Sequence, residues 1–476
     1  MMAPWCDVPA ELVERISKFV ESHIDILRIR AVCSSWRSAL SPGFKIPKSE
    51  FPIKLPYEPP FPHQPMLCTS DFKSHFYLIE SSVYLIQLPH PPHTGWLVKI
   101  LETGPGKFKI LNPLTNRVMD NLPDTTKLNF LDFRVSQVCK FYHVHWDLNY
   151  YIHCMLGYEL FNKALPIWND QTNQFSIMAT SIFDHLLCVK SGDDKWTTLE
   201  HPTHSKIVDI IVYKGNFYAV DTYGQTIMYD SSLSNDHTIV SSTLKVFNEW
   251  GTKKRLVESG GELFLVDMLL DTDVKTKWHG SQPSWKSPKE IKVYRLDEQQ
   301  HEWIAVHTLG DQIFFAGDDC CFSVSASNFG DHYCRGNCIY YVNGGIIVDR
   351  KCYPSKYYAY DFEDHLVSGL SEEVKLRYEG LDGHHTGIFS LQDGKLGSLL
   401  SFIEYADIFW PPPSWIFTTD DHQAEFWHFV IDDRHVRSFN DTPYMKKVPF
   451  HRIKACVHIT LPGLHLGLHC VCQYQI

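Results

Sequence analysis

The C-terminal end of the chain holds the side chains best suited to metal chemistry. His465, His469, Cys470 and Cys472 are nitrogen and sulfur donors of the kind that zinc takes four at a time, and a His pair four residues apart can share one helix face. The spacing argues against a site. Cys470 and Cys472 are separated by one residue, no distant second pair completes a tetrahedron, and Gly463 and Gly467 disfavour a helix. Cys320-Cys321 follows Asp318-Asp319 in G-D-D-C-C-F-S-V-S. Neighbouring residues of a strand point to opposite faces, which buries one thiol and turns the other toward a rim. The two aspartates read as a turn cap, because nothing sets their acidities apart as acid–base work requires. Gly104-Pro105-Gly106-Lys107 lacks the G-x-x-x-x-G-K-[ST] spacing of a phosphate loop, and Pro105 removes an amide donor, so it reads as a hairpin turn. No G-x-S-x-G, H-E-x-x-H or dinucleotide fingerprint occurs. The expectation is a non-catalytic protein with no cofactor and no metal.

Without a reactive centre to position, the elements must present surfaces. The chain has 476 residues, 44% hydrophobic and 21% charged, a soluble globular balance with room for more than one domain. Aromatic residues make up 14%, which leans toward β structure. Lys+Arg 44 against Asp+Glu 55 gives a net charge of −11, which speaks against nucleic acid and anionic membranes as partners. No apolar run approaches the ~20 residues that cross a bilayer. Trp5-Cys6-Asp7 stands where a signal peptide would need a basic and then an apolar stretch. The cytoplasm, the nucleus or both is the expected location, with the 14 cysteines mostly free thiols.

Residues Val8 to Leu40 have a helical period. Asp7 can cap a helix starting near Pro9, and Leu12, Val13, Ile16, Phe19 and Val20 then form an apolar stripe. Ser22 and His23 break the pattern. Asp25 can cap a second helix bearing Ile26, Leu27, Ile29 and Val32, and Ser34 or Ser35 a third with Trp36 and Leu40, stopped by Pro42-Gly43. About forty residues are too few to cover all these apolar groups, so some remain available to another protein or to the main domain. Arg28, Arg30 and Arg37 invite a helix-turn-helix reading. Glu11, Glu14, Glu21 and Asp25 lie among them and leave no single basic face.

This segment resembles an F-box, the adaptor-docking module of Skp–cullin–F-box ubiquitin ligases. Val8-Pro9, Leu12, Ile16, Asp25-Ile26-Leu27, Arg28, Arg30, Val32-Cys33 and Trp36-Arg37 fall where that family places Leu-Pro, Leu, Ile, Asp-Leu-Leu, Arg, Arg, Val-Cys and Trp-Arg. Val8 replaces the usual Leu, trimming docking by on the order of 1 kcal/mol. The resemblance implies that Pro9, Leu12, Val13, Ile16, Val32 and Trp36 contact or shape an adaptor-binding surface. It also implies a Skp-type adaptor, a cullin scaffold reached through it, and a target protein at the far end.

Residues 43–71 are proline-rich and aperiodic, an extended semi-rigid linker. From about Phe72 to Trp415, short apolar runs alternate with turn residues: Gly95 to Ile100, Lys109 to Leu111, Ile207 to Tyr213 and Ile291 to Tyr294 read as strands. Gly215-Asn216-Phe217-Tyr218-Ala219-Val220-Asp221 is echoed by Gly261-Glu262-Leu263-Phe264-Leu265-Val266-Asp267, 46 residues on, the length of one propeller blade. Gly336 to Asn343 reads as a third copy, with Asp271 to Lys289 a loop insertion between. A strand running into an Asn/Asp turn recurs at Ile110 to Thr115, Ile167 to Thr172, Val293 to Asp297 and Ala359 to Asp364, and suits hairpins between outer blade strands. Paired β-sandwiches would give a similar strand spacing.

G-W-L-V-K-I, K-I-L-N-P-L-T, G-E-L-F-L-V-D, I-K-V-Y-R-L-D and L-G-D-Q-I-F-F-A-G-D-D-C-C-F-S-V-S-A-S-N-F are similar to a plant F-box family whose C-terminal domain is a kelch-like β-propeller. Members often carry an acidic insertion where Asp271 to Lys289 is mixed in charge. The expected organisation is an F-box at 5–42, the linker at 43–71, a propeller at 72–415 and a divergent His-rich tail at 416–476. In fold class this is a mainly β chain with a small all-α N-terminal module: a three-helix F-box followed by an irregular kelch-like propeller. The resemblance implies a substrate-recognition subunit of an E3 ubiquitin ligase. The alternatives are an adaptor-binding protein without ligase output, or a propeller hydrolase regulated through its F-box.

Overall fold

The computed structural model describes residues 8–17, 23–40, 51–56, 75–89, 94–104, 107–114, 132–146, 161–169, 171–181, 185–202, 205–234, 237–244, 252–270, 288–317, 320–330, 336–342, 386–399, 402–410 and 413. Two tight turns show how its basic unit forms. Tyr213 and Asn216 are joined by Lys214-Gly215, and Ser259 and Glu262 by Gly260-Gly261, all four turn residues lying at φ between 47° and 79°. That is type I′ geometry, whose twist matches that of the flanking strands. The strands that follow are largely buried, from Phe217 to Asp221 in the first and from Leu263 to Val266 in the second.

Five sheets result. The first comprises β1 (Ile53–Leu55), β2 (Phe76–Gln87), β3 (Gly95–Gly104), β4 (Lys107–Leu111) and β5 (Arg134–Trp146). The second runs β6 (Phe161–Asn169), β7 (Gln174–Ser181), β8 (Leu186–Lys190) and β9 (Thr197–Thr198); the third β10 (Ile207–Tyr213), β11 (Asn216–Asp221), β12 (Thr226–Tyr229) and β13 (His237–Ser241). The fourth holds β14 (Thr252–Ser259), β15 (Glu262–Leu270), β16 (Pro288–Asp297) and β17 (Glu302–Val306). The fifth holds β18 (Gln312–Ala316), β19 (Cys321–Ser325), β20 (Cys338–Val342), β21 (Thr386–Ser390) and β22 (Leu396–Ser398). Strands β5, β6, β10, β14 and β19 lie against one another in a closed ring. The molecule is a five-bladed β-propeller, as the blade-length repeat led one to expect.

The middle three blades run in sequence order from the axis outward, but the first and fifth do not. In the first, the inner strand β5 comes last and pairs along the whole of β2. In the fifth, β18 takes the second position, β19 turns back to become the inner strand, and β20 pairs parallel to β18. The strand that follows Gly336 is therefore not the counterpart of those after Gly215 and Gly261. That role belongs to β18, which follows Gly310; this glycine also has positive φ and lies 49 residues beyond Gly261.

An apolar cluster fills each of the five gaps between neighbouring blades. The largest joins the last blade to the first, with Phe315 stacked between Phe322 and Tyr340 at centroid distances of 4.5 and 4.9 Å. A closing segment around the short helix Ile403–Ala406 clasps this joint. Leu97 N–H donates to the Ile408 carbonyl (2.7 Å), Trp96 Nε1 to the Phe409 carbonyl (3.1 Å) and Tyr340 OH to the Tyr405 carbonyl (2.7 Å).

Within the stretch expected to be an extended semi-rigid linker, β1 is folded onto the end of β2, with Ile53 and Leu55 buried between the first two blades. The Asn/Asp turns form as expected at Asn169 and Asp297, whose Oδ1 atoms accept amides two and three residues on. Only the second joins outer strands; Asn169 sits between β6 and β7, the inner pair of its blade. The Ala359 copy, the Asp271 to Lys289 insertion up to residue 287, and the His-rich tail lie outside the described residues.

Candidate functional site

Three helices precede the propeller: α1 (Ala10–Ser17), α2 (His23–Ala31) and α3 (Ser34–Ala39). Helix α1 begins directly after Pro9, whose carbonyl accepts the amides of Leu12 (3.0 Å) and Val13 (3.2 Å); Asp7 lies outside the described residues. Asp25 is not the cap of α2, which starts two residues earlier and so takes His23 into the helix. The cap of α3 is Cys33 rather than either serine, without a side-chain cap bond, because its extended backbone breaks the chain direction between α2 and α3. Cys33 Sγ instead lies 3.0 Å from Ser35 Oγ.

The module has its own core of Val13, Ile26, Trp36 and Leu40, flanked by Val8, Ile29, Cys33 and Ala39. This core divides the six positions implied by the resemblance. Val13 and Trp36 are 1% and 7% exposed, holding the helices together from inside. Pro9 is exposed, and Leu12, Ile16 and Val32 are 49%, 46% and 49% exposed. The residues 9, 12 and 16 follow helical spacing, so they line one outer face of α1, while Val13 and Ser17 line the inner one. Among the described residues only two other large apolar side chains are so exposed, Ile239 and Ile304, each on the outermost strand of its blade. An apolar stripe on a module whose core is already closed binds by area, and offers no group for covalent chemistry.

The arginines of α2 face different partners. The buried Arg30 guanidinium donates to the Leu40 carbonyl, tying α2 to the end of α3, while Arg37 Nε donates to the Arg30 carbonyl (3.4 Å). Burial and then the like charge of Arg37 lower Arg30 from its ordinary value, and a guanidinium stays protonated all the same. Arg28 reaches out of the module to donate to the carbonyl of Val135 on β5. Sequence reasoning placed Arg28 within the family pattern but not this link across 107 positions.

A second concentration of polar groups lies between the inner strands. Lys163 on β6 and Asp209 on β10 form an ion pair at 2.9 Å, 6% and 2% exposed, and the other Asp209 oxygen accepts Leu256 N–H of β14 at 2.7 Å. One carboxylate thus joins three blades. Both charged residues directly follow a bulge, at Asn162 and Val208, which re-aims the side chains after it. Burial pulls the Lys163 ammonium down, yet the charge and hydrogen bond of Asp209, together with Cys321, outweigh it and the net shift is upward. Beside them Arg255 donates to the carbonyls of Gly317, Val208 and Lys254. The signal for this network was present in I-V-D-I-I-V, a lone acid inside an apolar run.

Cys320 is buried with its thiol 2.9 Å from the Pro113 carbonyl, and Cys321 is half-buried. Burial holds the thiol of the half-buried Cys139 well above its ordinary value. Among the described residues no group of three or more His, Cys, Asp or Glu is placed to hold a metal, and no helix is long and apolar enough to cross a membrane.

Against known proteins, residues 75–371 match the family described as the KIB1-4 beta-propeller. The chain is 30% identical over 448 residues to the F-box protein SKIP23 of Arabidopsis thaliana, covering 89% of this chain and 99% of that protein. It is 29% identical over 440 residues to the Arabidopsis F-box protein At2g17036, with 88% and 96% covered. To the putative F-box/kelch-repeat protein At5g24040 of the same plant it is 24% identical over 426 residues, with 87% and 99% covered.

Proposed function

The chain belongs to the family of plant-type F-box proteins with a KIB1-4 β-propeller, and on that premise we propose that it is the substrate-recognition subunit of a Skp–cullin–F-box ubiquitin ligase. The helical module docks a Skp-type adaptor and through it a cullin scaffold, and the propeller holds a target protein. The subunit itself does no chemistry. It raises the local concentration of target lysines beside a ubiquitin-conjugating enzyme carried on the other subunits. On this reading the protein works in the cytoplasm or nucleus.

The observation that carries the reading is the outward stripe of Leu12 and Ile16 with Val32, on a module already packed around Val13, Ile26, Trp36 and Leu40. Pro9, beside the stripe, stiffens the entry to α1, and Val13 and Trp36 shape the face without touching the adaptor. The test is reconstitution of the full chain with a purified Skp-type adaptor and cullin. The expected result is a stable ternary complex on gel filtration, lost in a Leu12→Asp/Ile16→Asp variant that retains the wild-type melting temperature. Failure of the wild-type chain to retain adaptor, or full retention by the double variant, overturns the reading.

A further inference from the structure

The contour length between Leu40 and Ile53 does not by itself fix where the module sits. Strand β1 is pinned to the end of β2 where Leu78 faces Ile53, with Pro56 just beyond it accepting from Trp196 Nε1 at 3.3 Å. Arg28 is attached at the opposite end of the same blade, since Val135 pairs with Ile86. Eight residues of β2 separate those levels, about 27 Å at the usual strand rise. The thirteen residues from Leu40 to Ile53 reach at most ~45 Å. That reach exceeds the ~27 Å between the two levels, so contour length alone permits more than one position. Among the described residues, the apolar core of the module contains no propeller residue.

We propose that Arg28 is a positioning residue: its bond to the Val135 carbonyl fixes the module against the end of the first blade and so sets the distance and angle between the two binding ends. Its value to a ligase rests on the docking reading above, because a target lysine is modified only when held within reach of the conjugating enzyme. The division of labour within α2 supports it. Arg30 is buried and closes the module upon itself, whereas Arg28, two residues along and hence on another face, projects to the propeller. A guanidinium suits the task, since it stays charged and its donors have fixed directions.

The test measures geometry in the free chain without adaptor, so it stands apart from the docking reading. Exposed Glu14 on α1 and Gln392 in the β21–β22 turn are replaced by p-azidophenylalanine and spin-labelled, and their separation is read by pulsed electron resonance. The wild-type arginine gives one narrow distance. Arg28→Ala broadens the distribution and moves it outward by on the order of 10 Å, with the detached population raised roughly tenfold or more. The Arg28→Ala melting temperature and adaptor affinity stay within error of wild type, as a purely structural role would not allow. Arg28→Lys, which keeps the stem and one donor, gives an intermediate distribution. It also serves as the deciding variant should the alanine form fail to fold. An unchanged narrow distance in the variants overturns the proposal. So does loss of adaptor binding at an unchanged distance, which would put Arg28 in the docking face.

Discussion

Asp209 is the residue whose loss should cost the propeller most per atom removed. In Asp209→Ala, Lys163 is left as a buried cation without its 2.9 Å partner, and Leu256 N–H loses its acceptor. Breaking a buried ion pair costs about 3–5 kcal/mol and an unsatisfied buried amide ~1–3 kcal/mol. The two overlap, because Lys163 can shed its proton instead of remaining charged, so about 4 kcal/mol is expected. Asp209→Asn keeps an acceptor for Leu256 and should lose roughly half as much. Asp209→Asn with Lys163→Met removes both charges and should recover much of the deficit. Urea unfolding followed by tryptophan fluorescence reads these as midpoint shifts at constant slope. The pH dependence supplies an independent sign. In the wild type Lys163 lies above its ordinary value of 10.5, so the stabilisation is whole below that pH and fades as pH rises through the folded value. In Asp209→Ala burial prevails and the folded value falls below the unfolded one, so the variant gains stability as pH rises. A loss under ~1 kcal/mol, or pH slopes of the same sign in both proteins, would refute the claim that one carboxylate joins three blades.

The docking face should respond in proportion to exposed area. Leu12→Ala, Ile16→Ala and Val32→Ala each remove a half-exposed side chain worth about 1 kcal/mol, and together they should weaken adaptor binding ~100-fold by calorimetry without changing the melting temperature. Val13→Ala, by contrast, opens a cavity in a four-residue core, costs about 2 kcal/mol and should show first as faster amide exchange in α1 to α3. In Gly387→Ala, the new Cβ meets the ring of buried Tyr341 on the paired strand, so a loss of about 1–3 kcal/mol is expected in thermal unfolding. Trp96→Phe removes the donor to the Phe409 carbonyl, and limited proteolysis should then cut within 402–410 before any other blade becomes sensitive.

How far the fold could be read depended on how local its determinants are. Lys214-Gly215 and Gly260-Gly261 fix a strand pair with two residues each, so blades three and four were visible as a repeat 46 residues long. The fifth blade misled, because Gly336 resembles those turns in sequence while β18 holds their place. The reversal of β18 and β19 is a long-range matter: it delivers Phe322 and Cys320 into the joint with the first blade. No local period encodes that. The burial of β1 was hidden for a similar reason. A stretch of prolines reads as extended whether it crosses solvent or lies along a strand, and only the free edge at the end of β2 distinguishes the two.

The candidate site was legible as a set and not as a surface. Helical spacing put Leu12, Val13 and Ile16 in one stripe, yet consecutive residues of a helix lie about 100° apart, and a core of four side chains can take only one of those directions. Trp36, entering from α3, fills the space beside Val13 and so assigns it inward and turns Leu12 and Ile16 outward. The same geometry explains why this small module needs no more core than it has. Additional inward apolar residues would consume the stripe, and a larger face left bare would promote self-association before an adaptor arrived. Leu12 and Ile16 with Pro9 make a small bare face on α1, and Val32 adds a third outward side chain. On the docking reading, the packing of Trp36 against Val13 sets which way α1 faces, and Leu12 and Ile16 then supply the contact area.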